Sequence, residues 1–534
     1  MNKIILLSFI IFILARIINF NCDLPVQRTE ILQNIGEFYY DEGWWSLGAR
    51  DLYLFGDPEH SHFNPIPVTP VATAFYLGFF KCFGVNLISL RLTGVVASLI
   101  SLLLFLSIMK GCDDKQRILA FILFGSNSLF LLYSRSGLLE VICLPFLLGS
   151  MLLYLREQNF LAGLLAGTAV LVKPHAIFFL FLFLFMPRRL KTLLGFLIIV
   201  VPWAILIQKS SVLVHYQSSR WLTSGSLLIN LPKSLLLGLV YRDTFFRNNP
   251  LFFIFALLSL PGLYNVRNER TRFFFLWAVT GGIFFGVFPF QVARYLILLL
   301  PPLVYALAEG KDHHNRFLGF LVVAIIVSQT AFGLSRPFID NYHGPLDFFP
   351  KEYQLSVEIP RFLKTLDLSI YPDFFARMIL YVLAAGGSLL LGIFIGLLRW
   401  RTGPVRTIIP LIIIFDLFLN AWILFPRYSF IDLGRRLSED VTTRIGPAGT
   451  FSLLNNLDYE NLPVLRRDMD NPELYPGFAL LISYHPLMGH FNSSRFLSQF
   501  RAVKVYQIFD NRYEVTLYEK ITHPPCRTGE HLTD

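Results

Sequence analysis

Long apolar runs, bounded by charged or proline-rich turns, recur along most of the 534 residues. Each run is close to the roughly 20 residues that a helix needs to cross a bilayer core. Candidate spans cover residues 4–21, 86–109, 117–133, 138–154, 160–173, 175–187, 192–208, 249–266, 273–288, 294–308, 317–334, 377–398 and 407–426. The pattern predicts an all-α polytopic membrane protein of about thirteen helices, a few of them short enough to be tilted or re-entrant. The first run follows Lys3 like a secretory signal, but Arg16 and the missing small-residue cleavage site favour a retained helix. After residue 426 the pattern changes. Residues 431–445 have the spacing of an amphipathic helix, and residues 449–454 and 478–484 read as strands. Residues 503–509 and 512–519 read as a hairpin about Asp510-Asn511. The expected organisation is a membrane domain over 1–426 and a small soluble α/β domain over 427–534.

Composition agrees: 54% of residues are hydrophobic, 15% are charged and 54 are phenylalanine. That excludes an ordinary soluble enzyme and a disordered chain. The net charge of +10 needs dividing before it is read. Residues 1–426 hold 34 basic and 23 acidic residues, and the remainder holds 12 and 13. The excess therefore belongs to the membrane part, where it reports sidedness and argues for no nucleic-acid partner. With the N-terminus cytoplasmic, the inner turns 110–117, 155–158, 187–191, 267–272, 309–316 and 399–406 carry 15 basic residues. The short outer turns carry three, Arg135, Lys173 and Arg294. This is the positive-inside asymmetry, and it puts the segments 22–85, 209–248 and 335–376 and the C-terminal part on the outer face. The five cysteines form no zinc or disulfide pattern.

Candidate chemistry concentrates on that outer face. The first outer loop is acidic and centres on Tyr39-Tyr40-Asp41-Glu42-Gly43-Trp44-Trp45. A carboxylate among aromatics is partly desolvated, which raises its basicity and suits general-base work. The tryptophans fit either interfacial anchoring or stacking on a sugar ring. Asn64-Pro65-Ile66-Pro67-Val68-Thr69-Pro70 predicts a rigid turn into an in-plane helix ending at Phe83-Gly84, with Arg91 beyond it. In Ser134-Arg135-Ser136-Gly137-Leu138-Leu139-Glu140, the acid lies just inside a span and needs a partner, either Arg135 or a functional one. Lys173-Pro174-His175 and Arg294-Tyr295 hold cations that could snorkel to headgroups or grip a phosphate. His60-Ser61-His62 with Asp57 and Glu59 fits either a divalent metal ion or a solvated polar loop. Asp416, inside the last span, is expected to hydrogen-bond a neighbouring helix. Gly163-x-x-x-Gly167 and Gly282-x-x-x-Gly286 are expected to mark close helix packing.

Taken in order, these pieces resemble a family. An acidic pair in the first outer loop is followed by a proline-rich entry, Phe-Gly and an arginine opening the next helix. An "SR-x-G-x-x-acid" turn, "K-P" after a glycine-rich helix and "ARYLILLLPPL" at 293–303 complete the order. The chain resembles the GT-C glycosyltransferases, in particular the branch with the protein O-mannosyltransferases and the aminoarabinose transferase of lipid A. The resemblance is strongest over residues 36–180 and 289–305.

It implies inverting transfer of one sugar from a polyprenyl-phosphate donor to a hydroxyl of a protein, glycolipid or polysaccharide acceptor. The setting it implies is the outer face of a multi-pass plasma membrane, bacterial by branch. It also implies Asp41 as catalytic base, with Glu42 and Glu140 as acidic companions. Arg294, Lys173, Arg135 and Arg91 would face the leaving lipid phosphate, with Tyr295, Trp44 and His62 as further substrate contacts. No cofactor is implied with certainty. Two positions depart from the family. Thr69 stands where a lysine or histidine commonly precedes the helix proline, and Glu140 where aspartate is usual. The alternatives are a transporter or lipid-linked sugar flippase, and a non-catalytic assembly protein; the absence of an internal repeat and the outer placement of the charges favour surface chemistry.

Overall fold

In the computed structural model, the described residues are 3–19, 42–43, 45–58, 64–208, 252, 256, 259–261, 263–264, 268–287, 293–309, 404–424, 445–446, 478–482, 500–508 and 513–520. Of the expected spans, 317–334 and 377–398 lie outside them, as does most of 249–266.

The remaining spans, and the helix expected after the proline-rich turn (α2), are helical: α1 (Lys3–Ile17), α2 (Pro70–Phe83), α3 (Leu87–Ile108), α4 (Asp114–Ser126), α5 (Ser128–Ser134), α6 (Leu139–Leu155), α7 (Asn159–Val172), α8 (Phe178–Leu184), α9 (Arg189–Gln208), α10 (Glu269–Val287), α11 (Leu300–Glu309) and α12 (Pro404–Leu424). Short 3-10 turns, Pro174–Ile177 and Ala293–Leu299, lead into α8 and α11. Among the described residues α3 and α9 are long and apolar enough to cross a membrane singly, and α4 with α5 passes the same test as a bent pair.

That bend departs from the single span read over 117–133. The axes of α4 and α5 differ by 53°. The cause is polar: Asn127 caps α5 by accepting from the Phe130 N–H at 3.2 Å, and α12 supplies partners for the opened backbone. Asp416 accepts the Ser128 N–H at 3.0 Å, and Asn420 donates to the Ser126 carbonyl at 2.6 Å. A break in apolar surroundings is tolerated when neighbouring helices satisfy the freed groups. Asp416 thus has the helix partner expected of it.

Arg16, in the last turn of α1, is fully buried. It donates to Ser98 Oγ (3.0 Å) and the Phe12 carbonyl (3.0 Å) and lies over the Phe130 ring. Arg16 thereby ties α1 to α3 and α5.

Glycines set the closest helix contacts. A Cβ on Gly163 would collide with the Thr192 carbonyl, and one on Gly195 with the Phe160 carbonyl, so α7 and α9 meet backbone to backbone. Gly167 closes the same seam against Phe196 and Ile199. Gly282 does not behave as expected: a Cβ there meets nothing within 4 Å, while its neighbour Gly281 packs on Leu299. The period of four locates a small-residue row but not the face that is used. Gly163→Val is therefore expected to lower the thermal midpoint of the purified protein in detergent, by overpacking worth about 1–3 kcal/mol or more. Gly282→Ala should leave the midpoint unchanged or raise it, and equal losses in the two variants would refute this seam.

The turns sort to two ends of the bundle. Arg188 pairs with Glu157 (3.0 Å), Arg270 donates to the Lys110 carbonyl (2.6 Å) and Arg272 to the Phe185 carbonyl (3.0 Å), which gathers the turns read as inner. The turns at Arg91, Gly137–Glu140, Lys173 and Arg294 meet at the other end. Loop charge separates the same two groups of turns.

Residues 445–520 contain a four-stranded sheet of order β1-β2-β4-β3, built from β1 (Ile445–Gly446), β2 (Phe478–Ile482), β3 (Phe500–Ile508) and β4 (Tyr513–Lys520). The expected hairpin is present, with Ile508 opposite Tyr513 and a bulge at Val503. β2 pairs antiparallel with β4 and parallel with β1. The strand expected at 449–454 and nearly all of the helix expected at 431–445 lie outside the described residues; Ile445 itself is in β1.

Candidate active site

Three helix ends converge on one carboxylate. Leu138 is extended and serves as N-cap, placing Glu140 in the first turn of α6, where an anion is favoured by the helix dipole. Pro174 cannot continue α7, and it forces Lys173 into an extended backbone (φ −144°, ψ 113°). The 3-10 turn Ala293–Leu299 carries Arg294 and Tyr295 to the same point. The Lys173 ammonium lies 2.9 Å from Glu140 Oε1 and the Arg294 Nε lies 3.0 Å from that same oxygen.

All three side chains are buried, Glu140 at 1%, Lys173 at 4% and Arg294 at 9% exposure. Burying such charges costs several kcal/mol per ion unless they are paired, so each cation depends on the one carboxylate, Glu140. Aromatic rings wall it. The Lys173 ammonium is 5.2 Å from the Tyr295 ring and 5.9 Å from Trp45, and Arg294 is 5.7 Å from Tyr295. His175 packs on Tyr295 at 4.6 Å. Such contacts favour a cation held close to a ring face.

A second buried pair lies beside it. Glu42 Oε2 accepts from Arg91 Nε at 3.2 Å, with both side chains fully buried. Burial pushes the Glu42 carboxyl above the usual carboxylate range, an effect that Arg91 and the Gly137 N–H partly offset. The Gly137 carbonyl accepts from Tyr76 (2.7 Å). A side chain at Gly137 would strike Leu90, and one at Gly94 would strike the Ser136 carbonyl. The glycine of the "SR-x-G" turn is thus needed for close approach to α3, and the turn links both acidic pairs.

The candidates read from sequence distribute as follows. Glu140, Lys173, Arg294 and Tyr295 come together, and Glu42 with Arg91 adjoins them through Gly137. Arg135 is buried and its Nη2 donates to the carbonyls of Ile18 and Asn19, both at 2.7 Å, so it caps the end of α1. Glu140 itself is held by Lys173 and Arg294. Asp41, Trp44 and His62 lie outside the described residues. Most of the 57–62 loop does too; among the described residues no group of three His, Cys, Asp or Glu side chains is arranged to hold a metal ion.

Two residues were missed by sequence reasoning. Trp45 lies beside the Lys173 ammonium, and His175 packs on Tyr295. The Trp44-Trp45 doublet gives no local signal that the Trp45 ring reaches Lys173. His175 could have been found as the residue that must turn with Lys173 around Pro174.

No protein-family profile matches the chain. No curated protein sequence matches it either. Solved structures do. The crystal structure of ArnT from Cupriavidus metallidurans bound to undecaprenyl phosphate is similar at a TM-score of 0.59 and 13% identity, covering 96% of this chain and 97% of that one. The apo ArnT structure from the same organism is similar at 0.56 and 13%, covering 97% of each chain. At that identity the likeness establishes the fold. The chain has the fold of ArnT over nearly its whole length.

Proposed function

We propose that the protein is an integral membrane glycosyltransferase that moves one sugar from a polyprenyl-phosphate donor to an acceptor hydroxyl at the outer membrane face. The observation that carries this reading is the convergence of Lys173 and Arg294 on a single carboxylate oxygen at one end of the bundle. Two cationic donors already directed at one anionic oxygen suit the oxygens of a lipid phosphate, whose charge grows as the anomeric C–O bond breaks. The ArnT structure with bound undecaprenyl phosphate supports the same class of lipid ligand.

In the proposed reaction Asp41 removes the acceptor hydroxyl proton while that oxygen attacks the anomeric carbon from the face opposite the phosphate. The bond to the phosphate oxygen breaks and its electron pair leaves with the polyprenyl phosphate, so the anomeric centre inverts. Glu42 and Glu140 orient the reacting groups. Tyr295, Trp44 and His62 line the substrate, and Arg91 and Arg135 hold the adjoining turns. In this reading the N-terminus is cytoplasmic, and residues 427–534 form an outer domain that meets a protein, glycolipid or polysaccharide acceptor.

Purified protein incubated with a panel of polyprenyl-phosphate sugars and candidate acceptors is expected to release free polyprenyl phosphate from at least one donor. Asp41→Asn should slow that release by roughly 10²–10⁴-fold, the usual contribution of a general base. Unchanged turnover in Asp41→Asn would remove the base assignment. Transfer of intact lipid-linked sugar across vesicles, with no donor consumed, would establish the flippase reading in its place.

A further inference from the structure

At the end of the bundle remote from Glu140 there is a second, differently built basic site. The 17 residues of α6 separate the two, a rise of about 25 Å, close to the thickness of a bilayer core. There a groove of about 480 Å³ is lined by Leu184, Phe185, Met186 and Pro187 and by three arginines, Arg188, Arg189 and Arg272. This lies within the roughly 300–1,000 Å³ typical of small-ligand clefts.

The three arginines are not equivalent. Arg188 is committed to carboxylates, Glu157 at 3.0 Å and Glu269 at 3.9 Å. Arg189 and Arg272 donate instead to backbone carbonyls, those of Leu184 (3.4 Å) and Phe185 (3.0 Å). Each such guanidinium uses one of five N–H donors in that bond. The groove therefore presents two exposed guanidinium groups that no carboxylate among the described residues neutralises.

Two turns joined beside it are held in a costly backbone form. Glu157 (φ 64°) and Arg188 (φ 58°) are both in the left-handed region, which favours glycine. Their ion pair joins the turn after α6 to the turn before α9.

An apolar track begins at this groove. Phe185 is 59% exposed, and along α9 Leu190, Leu194, Ile198, Val201 and Ile205 are all exposed. Their spacing of three to four residues makes one stripe down the helix. A guanidinium pair at a bundle end with an exposed apolar stripe leading away from it matches one ligand shape, a phosphate head on hydrocarbon chains.

We propose that this groove binds an anionic phospholipid of the leaflet opposite the proposed active site. Its phosphodiester is held by Arg189 and Arg272, and its acyl chain lies along α9. The inference needs the chain to span a membrane but does not depend on transferase activity.

The test uses full-length protein in a zwitterionic detergent, titrated with dioleoylphosphatidylglycerol, with retained lipid counted by native mass spectrometry. One saturable lipid is expected, held at least about tenfold more tightly than dioleoylphosphatidylcholine, as the charge-assisted bonds to two guanidiniums require. Arg189→Gln with Arg272→Gln should abolish that difference. Lys115→Gln with Arg117→Gln removes the same charge elsewhere at the same end and should leave it intact. In the unmodified protein, added NaCl should weaken phosphatidylglycerol retention selectively. Equal retention of the two lipids, equal loss in both double variants, or displacement by soluble glycerol phosphate would each overturn the proposal.

Discussion

Glu140→Ala is expected to be the most destabilising single change in the described site, costing about 3–5 kcal/mol. The glutamate gives one oxygen to both Lys173 and Arg294, and all three groups are almost wholly buried. Truncation removes the anion and leaves the two cations facing each other, so attraction is exchanged for repulsion in a setting that water cannot relieve. Removing one partner of a buried set costs more than the set is worth against an apolar replacement, because the remaining charges stay desolvated. Glu140→Gln keeps the shape and one accepting oxygen and should lose less. The check is thermal unfolding in detergent, followed by tryptophan fluorescence, where the midpoints should fall in the order wild type, Glu140→Gln, Glu140→Ala. An unchanged midpoint in Glu140→Ala would mean that the cluster does not hold these helix ends together.

Arg294→Met is expected to act on rate rather than on stability. Glu140 keeps Lys173 at 2.9 Å when Arg294 is removed, so the carboxylate remains paired. The methionine fills the space against Tyr295 left by the apolar part of the arginine. What is lost is a preorganised donor to the leaving phosphate, and deleting one such donor commonly costs about 10²–10³ in turnover. Arg294→Lys restores charge but not the planar donor fork and should recover only part of the rate. Turnover assays at saturating donor check this, with the thermal midpoint as the folding control. A fall in midpoint matching that of Glu140→Ala would assign Arg294 a structural role instead.

Much of this architecture is legible in the sequence because membranes restrict what a chain can do. Apolar length locates the helices, and loop charge sorts their turns into two ends, which the contacts at Arg188 and at Glu140 reproduce. The Glu140–Arg294 contact joins residues 154 positions apart. No local rule gives that pairing, yet an acid just inside a span must find a cation, and few cations share its end. Where sequence reading falls short, the deciding partner is remote. Arg135 precedes a nearby acid but serves the carbonyls at the end of α1. The break at Asn127 depends on Asp416 and Asn420, which a hydropathy average over 117–133 cannot see. Gly281 rather than Gly282 packs, because a helix's rotation about its axis is set by its neighbours and not by its own residue spacing.

The central claim is that Lys173 and Arg294 hold the phosphate of a lipid-linked sugar donor during transfer. Its most direct test is single-turnover release of polyprenyl phosphate from a donor the wild type consumes, measured side by side in wild type, Lys173→Met and Arg294→Met. The account predicts acceptor-dependent release in the wild type and a loss of about 10²–10³-fold in each folded variant. Release at the wild-type rate in either variant would contradict it.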